Sequence, residues 1–323
     1  MPPSSHPSVY ITRMIPESGV ASLARAGMAV RMFPLARNPE PADLLAEASH
    51  HDGFITQVGD RIDRPFLKRA APRCKIVANC AVGTDNIDLK AAAELGVVVT
   101  NTPDVLTEAT ADLTLALLLA AARRLGEAER VVRAGAWRGW GMLDFLGADV
   151  HGRTLGIVGA GRIGTAVARR ARGFDMALLY CGRNRHAKIE QLGARRVLLY
   201  ELLENSDFVS LHAPLTPETR HMIDAKAFSH FKAGAILINA SRGSLVDQVE
   251  MIEALRNGRL AAAGLDVYEK EPAVPSELLA MENVVLLPHI GSATVSARDR
   301  MAEMAAANIL AVLGGKGPVN PVS

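Results

Sequence analysis

The sequence predicts an α/β protein built from two doubly wound parallel sheets. Three observations carry this reading. Apolar runs of strand length alternate with helical patterns over most of the chain. A glycine cluster, GAGRIG at 159–164, separates a strand-like run from a helix-like one. The length, 323 residues, corresponds to about two domains.

The elements follow in order. SVYITR (8–13) reads as a strand, ADLLAEAS (42–49) as a helix, GFITQVG (53–59) and CKIVANCAVG (74–83) as strands, LKAAAELG (89–96) as a helix and VVVTNTP (97–103) as a strand. An Ala/Leu-rich helical region covers roughly 104–134, and a Gly/Trp-rich connection covers 135–152. A second alternating set supplies six strands: TLGIVG, ALLYC, FVSLHA, AILINA, AAGLDV and VVLLPH. With helical patterns between most of them, they match two mononucleotide-binding halves. The closing helix, SARDRMAEMAAANILAVL (296–313), is expected to pack back on the first domain.

Composition narrows the function classes. Hydrophobic residues make up 49% and charged residues 22%, with a net charge of +2, as in an ordinary globular enzyme. No block of like charge suggests a nucleic-acid or membrane surface. Cys74, Cys80 and Cys181 form neither a disulfide framework nor a zinc spacing; they read as reduced thiols in a cytoplasm, and no metal is expected. The start, MPPSSHPSVYITR, lacks the apolar core of a signal peptide. The run LTLALLLAAA (113–122) is too short to span a bilayer and reads as a buried helix.

Gly159, Gly161 and Gly164 form G-x-G-x-x-G between strand and helix. In that context the first glycine makes the turn, the second admits a pyrophosphate against the backbone, and the third allows close helix–sheet packing. N–H groups at the helix start then hold phosphate oxygens. The competing reading is a glycine-rich turn without ligand. In NAD sites an acid near the end of the second strand binds the ribose 2′-hydroxyl. Here that strand ends LLYCGRNR, with Gly182 (or Cys181) at the acid's place, followed by Arg183, Asn184 and Arg185. Two guanidiniums can grip a 2′-phosphate, so NADP(H) is expected as the preferred coenzyme, with NAD(H) as the second. A solvated surface turn is the alternative.

Ligands of open parallel sheets sit beyond the carboxyl ends of the strands. AILINASRG delivers Arg242 there, AAGLDVYEKEP delivers Asp266 and Glu271, and VVLLPHIGSAT delivers His289. This set suits a 2-oxo acid. Arg242 can bind a carboxylate and polarise the adjacent carbonyl. His289 can exchange a proton with the alkoxide. Glu271 can hold the imidazole in one tautomer and favour its charged form at neutral pH. Each also has a bland reading: a strand-end cap, a surface turn beside Pro272, a structural histidine.

GAGRIG, NASRGSLVD, GLDVYEKEP and PHIGSAT, in this order, resemble the D-isomer-specific 2-hydroxyacid dehydrogenase family, over about 78–310. NTPDVLTEATADLTLALLLAAARRL and ARRARGFDM are most similar to its glyoxylate/hydroxypyruvate reductase branch. The resemblance implies a Rossmann NAD(P)-binding domain (102–289) inserted into a flavodoxin-like substrate-binding domain (1–101 and 290–323), an active-site cleft, and a homodimer formed mainly through the nucleotide domain. It makes Arg242, Glu271 and His289 the catalytic residues. It places coenzyme contacts at Thr110, Gly159, Ala160, Gly161, Arg162, Ile163, Gly164, Gly182, Arg183, Asn184, Arg185, His212, Ala213, Pro214, Thr219, Ala240, Ser241, Asp266, His289 and Gly291. Asp266 resembles the residue that contacts the nicotinamide carboxamide. Ala81, Val82 and Gly83 resemble the loop whose N–H groups receive the substrate carboxylate, with Arg242 and His289 completing the substrate contacts. Two departures stand out. The 135–150 connection is shorter than in archaeal-type members, so Trp137 and Trp140 read either as substrate-reaching aromatics or as packing and interface aromatics. The chain also ends without the regulatory domain of some phosphoglycerate dehydrogenases, which argues against serine control.

The expectation is therefore a cytoplasmic NADPH-dependent reductase of small 2-oxo acids, glyoxylate and hydroxypyruvate first, giving D-2-hydroxy acids. The rivals are a 2-ketogluconate reductase, a broad D-2-hydroxyacid dehydrogenase, and a nucleotide-sensing corepressor-like binding protein. Leu106, Trp140 and Met142 are the residues expected to set pocket size. No nucleic-acid or membrane partner is expected.

Overall fold

The computed structural model describes residues 6–322. Residues 1–5, the start of the stretch read for a leader, lie outside the described residues. The chain divides into two compact units, Met1–Leu106 with Ser292–Ser323, and Thr107–Gly291.

In the first unit, β1 (Ser8–Ile11), β2 (Ala29–Met32), β3 (Gly53–Thr56), β4 (Ile76–Asn79) and β5 (Val98–Thr100) form an all-parallel sheet of order β2-β1-β3-β4-β5. This is the flavodoxin-like order. Successive side chains point to opposite faces, and the sequence uses both. Tyr10, Phe54 and Val77 enter one core while Val9, Ile11, Ile55, Ile76 and Ala78 enter the other. Such two-sided burial explains why these strands read as continuous apolar runs rather than alternating ones. Strand β2 escapes that signal because it is an edge strand with no fully buried position. The helices Arg64–Ala70 and Leu89–Glu94 start where Asp63 and Asp88 accept the N–H groups of Phe66 and Ala91.

The helix Val295–Leu313 packs on β3, β4 and the helix Glu17–Arg25. A methyl on Gly19 would lie 2.8 Å from the Ala302 carbonyl oxygen, so that glycine permits the close helix approach. Asn308 is fully buried. Its side chain accepts the N–H groups of Val319 (3.0 Å) and Asn320 (2.9 Å) and donates to the Met304 carbonyl (2.9 Å). It thereby ties down a tail whose Val322 N–H reaches the Val99 carbonyl at 3.0 Å. Asn308→Ala leaves two N–H groups without their acceptor and is expected to cost about 2–4 kcal/mol in chemical denaturation. A loss within about 0.5 kcal/mol, as at an ordinary surface site, would show that the amide does not hold the tail.

In the second unit, β6 (Thr154–Val158), β7 (Ala177–Cys181), β8 (Arg195–Arg196), β9 (Phe208–Leu211), β10 (Ala235–Asn239), β11 (Leu260–Leu265) and β12 (Val284–Leu286) form an all-parallel sheet of order β12-β11-β10-β9-β6-β7-β8. Counted from β6, this is the dinucleotide-binding order 3-2-1-4-5-6 with one strand added at the far edge. The sequence predicts six strands here and the structure has a seventh: β8 is two exposed arginines and carries no apolar signal. The helical region 104–134 is also corrected. It is two helices, Thr107–Ala122 and Leu125–Arg133, broken where Arg124 takes left-handed backbone with φ 52°. There its guanidinium pairs with Glu127 at 2.7 Å. The first of these helices packs on β10 and β11 and is tied to the helix Arg162–Ala171 by Arg170–Asp112 (2.6 Å) and Arg169–Glu108 (2.6 Å). Among the described residues no helix is long and apolar enough to cross a membrane.

Candidate active site

The site of the second unit is built at the carboxyl ends of its strands. At the end of β6, Gly159 has φ +101°, and a side chain there would meet the Ala213 nitrogen at 2.5 Å. A Cβ on Gly164 would lie 2.1 Å from the Gly159 carbonyl oxygen. These two glycines are required by the fold itself. Gly161 differs. It caps the helix Arg162–Ala171 with ordinary φ of −69°, and a Cβ there meets nothing within 4 Å. The open space lies at a helix N-terminus, where free N–H groups and the helix dipole favour an anion. Ala160 is buried, Ile163 half-buried and Arg162 exposed. The loop thus fits the pyrophosphate of a dinucleotide.

Strand β7 brings Gly182 beside this loop, its Cβ direction 3.9 Å from the Ala160 nitrogen. No carboxylate occupies the Gly182 position. Arg183, Asn184 and Arg185 are exposed. Arg185 is engaged, pairing with both oxygens of Glu190 at 3.0 and 3.1 Å. Glu190 also accepts the Tyr180 hydroxyl at 2.5 Å, and the two partners hold its carboxyl below the usual range. Sequence reasoning missed Arg196, which donates to the carbonyls of Gly182 (2.9 Å) and Arg183 (3.0 Å) and so fixes this turn from β8. A lone pair of arginines in a weak strand gave no sign of that contact.

Strand β9 is followed by His212, Ala213 and Pro214. Burial pushes the His212 imidazole down to about 4, so it is neutral, and its Nε2 meets Ser210 Oγ at 2.8 Å. Thr219 Oγ1 donates to the Pro214 carbonyl at 2.7 Å. Ser241, just past β10 and Ala240, donates to the Ala213 carbonyl at 2.7 Å, linking the two strand ends.

Arg242 follows directly, and its turn is set by Asn239, a residue not singled out from the sequence. Asn239 is buried, donates to the Arg242 carbonyl at 2.9 Å and accepts the Ser241 N–H at 3.1 Å. Its place before SRG at a strand end was the available signal. Beyond β11, Asp266 has no exposed surface. Its carboxylate accepts the N–H groups of Ile290 and Gly291, each at 2.7 Å, and its carbonyl accepts that of His289 at 2.9 Å. Burial pushes its carboxyl up, outweighing those donors and the His289 charge. Asp266 therefore anchors the turn after β12, where His289 sits in left-handed backbone with φ 54°. For a residue other than glycine this conformation costs of order 1–3 kcal/mol and needs such an anchor. Gly291 faces Thr110 as well, with its Cβ direction 3.4 Å from Thr110 Cγ2.

His289 Nδ1 meets Glu271 Oε2 at 2.8 Å, both side chains partly exposed. Glu271 Oε1 accepts the Tyr268 N–H at 3.1 Å. Burial would raise the Glu271 carboxyl. The bond and charge of His289, the Tyr268 N–H and the Arg242 charge outweigh it, holding the group below its ordinary value. Glu271 is thus bonded to His289 and feels the Arg242 charge, the three residues following three consecutive strands. Among the described residues no group of side chains could hold a metal ion.

Ala81, Val82 and Gly83 follow β4 in the first unit. Asn101 donates to the Val82 carbonyl at 2.8 Å and Asn79 to the Gly83 carbonyl at 2.9 Å. The Ala81 carbonyl takes the Thr102 N–H at 2.9 Å. Of the expected pocket residues, Leu106 is buried in the first unit, whereas Trp140 (79% exposed) and Met142 lie exposed in the second, as does Trp137.

Comparison with known proteins agrees with this architecture. The sequence model of "D-isomer specific 2-hydroxyacid dehydrogenase, NAD binding domain" matches residues 115–291. The chain is 50% identical to a glyoxylate reductase of Thermococcus onnurineus over 317 residues, 97% of this chain and 94% of that one. It resembles a solved protein of Thermus thermophilus with TM-score 0.91 and 47% identity, covering 98% and 100% of the two chains. It also resembles the NADPH-dependent glyoxylate/hydroxypyruvate reductase of Sinorhizobium meliloti, solved with NADP and malonate, with TM-score 0.88, 35% identity and 99% and 97% coverage. The chain belongs to the D-isomer specific 2-hydroxyacid dehydrogenase family, in the branch that holds the glyoxylate reductases, and is an NAD(P)-dependent dehydrogenase.

Proposed function

We propose that the protein reduces small 2-oxo acids, glyoxylate and hydroxypyruvate first, to D-2-hydroxy acids with NADPH as the preferred coenzyme. The observation that carries this reading is the 2.8 Å contact of His289 Nδ1 with Glu271, on strand ends shared with Arg242. The glycine loop, Thr110 on the helix Thr107–Ala122 and the strand-end residues through Gly291 would hold the coenzyme, which when bound would supply a hydride for the carbonyl carbon. Arg242 binds the carboxylate and draws charge toward the carbonyl oxygen. Glu271 occupies Nδ1, so Nε2 of the protonated ring hands its proton to that oxygen. In the reverse direction the neutral ring takes it back. Asp266, buried beneath the His289 turn, holds that turn in place through the N–H groups of His289, Ile290 and Gly291. Ala81, Val82 and Gly83 are assigned to the substrate carboxylate.

The NADPH preference rests on Arg183 and Arg185 and on the missing acid at Gly182. Each charge-assisted bond is worth about 1.5–3 kcal/mol. Replacing both arginines with alanine is therefore expected to raise the NADPH dissociation constant about 10²-fold or more while NADH binding barely changes. An unchanged NADPH/NADH ratio would refute the assignment.

A homodimer is part of this proposal. The 135–146 connection and the helix before it expose Val132, Trp137, Trp140, Met142, Leu143 and Leu146, an apolar surface of the kind that marks an interface. The assignment to the cytoplasm rests on three free cysteines. The substrate reading is tested by a spectrophotometric screen of glyoxylate, hydroxypyruvate, 2-ketogluconate and pyruvate against both reduced coenzymes. Fastest turnover of the first two with NADPH is expected. Preference for 2-ketogluconate would move the substrate class, and coenzyme binding with no turnover of any would favour a sensor.

A further inference from the structure

Among the described residues, three buried side-chain polar atoms lack a hydrogen-bond partner: Thr100 Oγ1, Thr102 Oγ1 and Arg298 Nε. All three belong to the first unit. A buried guanidinium nitrogen without an acceptor is costly and calls for an anion. No ion pair or side-chain hydrogen bond engages Arg298 among the described residues.

Its position in the fold says which anion. Arg298 lies near the start of the helix Val295–Leu313, which has no acid in its first turn. A cation there opposes the helix dipole, so packing alone does not account for it. The far end of this helix covers the start of β3, with Ile309 and Leu313 methyls 3.0 and 3.6 Å from the Cβ direction of Gly53. Eleven residues separate Ile309 from Arg298, a rise of about 16 Å; β3 is shorter than that, at about 3.3 Å per residue. The helix packs on β3 and β4, so its start stands past their carboxyl ends, where β4 gives way to Cys80, Ala81, Val82 and Gly83. Burial pushes the Cys80 thiol up to about 11 despite the Arg298 charge, so Cys80 is neutral and supplies no counter-charge. In the same loop Asn101 and Asn79 take the carbonyls of Val82 and Gly83. The N–H groups of those two residues meet no acceptor among the described residues.

We propose that Arg298 is a substrate-binding residue: with the N–H groups of Val82 and Gly83, its guanidinium forms an anion site of the first unit that takes a carboxylate of the substrate. This rests on the substrate class proposed above and adds the charged group that the 81–83 loop lacks.

The test uses Arg298→Ala and Arg298→Lys in the full-length protein. The Michaelis constant for glyoxylate and the inhibition constant of oxalate, a carboxylate that cannot be reduced, are expected to rise together by about tenfold or more in Arg298→Ala. Lysine is expected to restore part of the loss, and the NADPH dissociation constant is expected to stay unchanged in both. Wild-type values for glyoxylate and oxalate in a less stable variant would overturn the proposal and leave Arg298 a packing role. Should alanine fail to fold, lysine decides alone: a raised oxalate constant at unchanged NADPH affinity supports the site, and wild-type constants refute it. Should the native enzyme turn over no 2-oxo acid, the substrate reading fails separately. Calorimetric titration of oxalate into the wild-type and variant proteins then decides whether the anion site exists.

Discussion

Replacing His289 with alanine is expected to cut turnover by about 10²–10⁴-fold, the usual contribution of a positioned acid–base group, while NADPH still binds. The loss is chemical because the backbone turn has its own support. Asp266 takes the N–H groups of His289, Ile290 and Gly291 whether or not the imidazole is present. His289→Asn guards against a folding artefact, since asparagine accepts left-handed backbone readily yet cannot relay the proton. Turnover near wild type in either variant would remove the histidine from the role. Its partner adds a pH dependence. The folded-state value of Glu271 is lowered, so its stabilising contribution is present above the unfolded carboxylate value of about 4.3 and is lost as pH falls through the lowered one. Glu271→Gln is expected to be less stable than wild type at neutral pH, with the gap closing in acid. A gap unchanged in acid would assign the loss to packing instead of charge.

The second large effect separates the three glycines of the loop. Gly161→Val is expected to fold, because its Cβ meets nothing within 4 Å and its φ is ordinary. The cost is about 1 kcal/mol for a poorer helix cap. The same branched side chain fills the space assigned to the pyrophosphate, so NADPH binding is expected to weaken by about 10²-fold or more, or about 3 kcal/mol. Gly164→Val is the contrast: its Cβ would stand 2.1 Å from the Gly159 carbonyl oxygen, and the protein itself is expected to be destabilised. Fluorescence titration with NADPH, paired with thermal denaturation, reads both. Normal NADPH affinity in Gly161→Val would place the coenzyme elsewhere.

The strands that carry the site were legible because they are apolar runs that end in reactive residues: AILIN before Ala240–Arg242 is buried throughout, and VVL before His289, a half-buried edge strand, still reads as apolar. The fold class followed from their spacing. What escaped was polar and non-local. Strand β8 and Arg196 hold the Gly182 turn through backbone carbonyls, and no pattern in two exposed arginines announces that. Arg124 breaks a helix through its own left-handed conformation, and the single glycine nearby, Gly126, lies inside the first turn of the next helix and does not mark the break itself. Asn239, Asn79 and Asn101 work through contacts that depend on the finished fold. The glutamate of Arg185, Glu190, lies five residues ahead, close enough to have been weighed from sequence. Asp266 was singled out, but as a coenzyme contact; its hold on the His289 turn became visible only with the strand ends assembled.

The central claim is that a hydride from a coenzyme on the glycine loop and a proton from His289 reach the two ends of one carbonyl. Reduction of hydroxypyruvate with NADPH deuterated at C4 tests it most directly, using each of the two C4 stereoisomers. The account predicts D-glycerate with deuterium at C2 from one of the two labelled coenzymes, formed about 10²–10⁴-fold more slowly in His289→Ala. An L-configured product, or a product whose C2 hydrogen comes from solvent with both coenzymes, would contradict it.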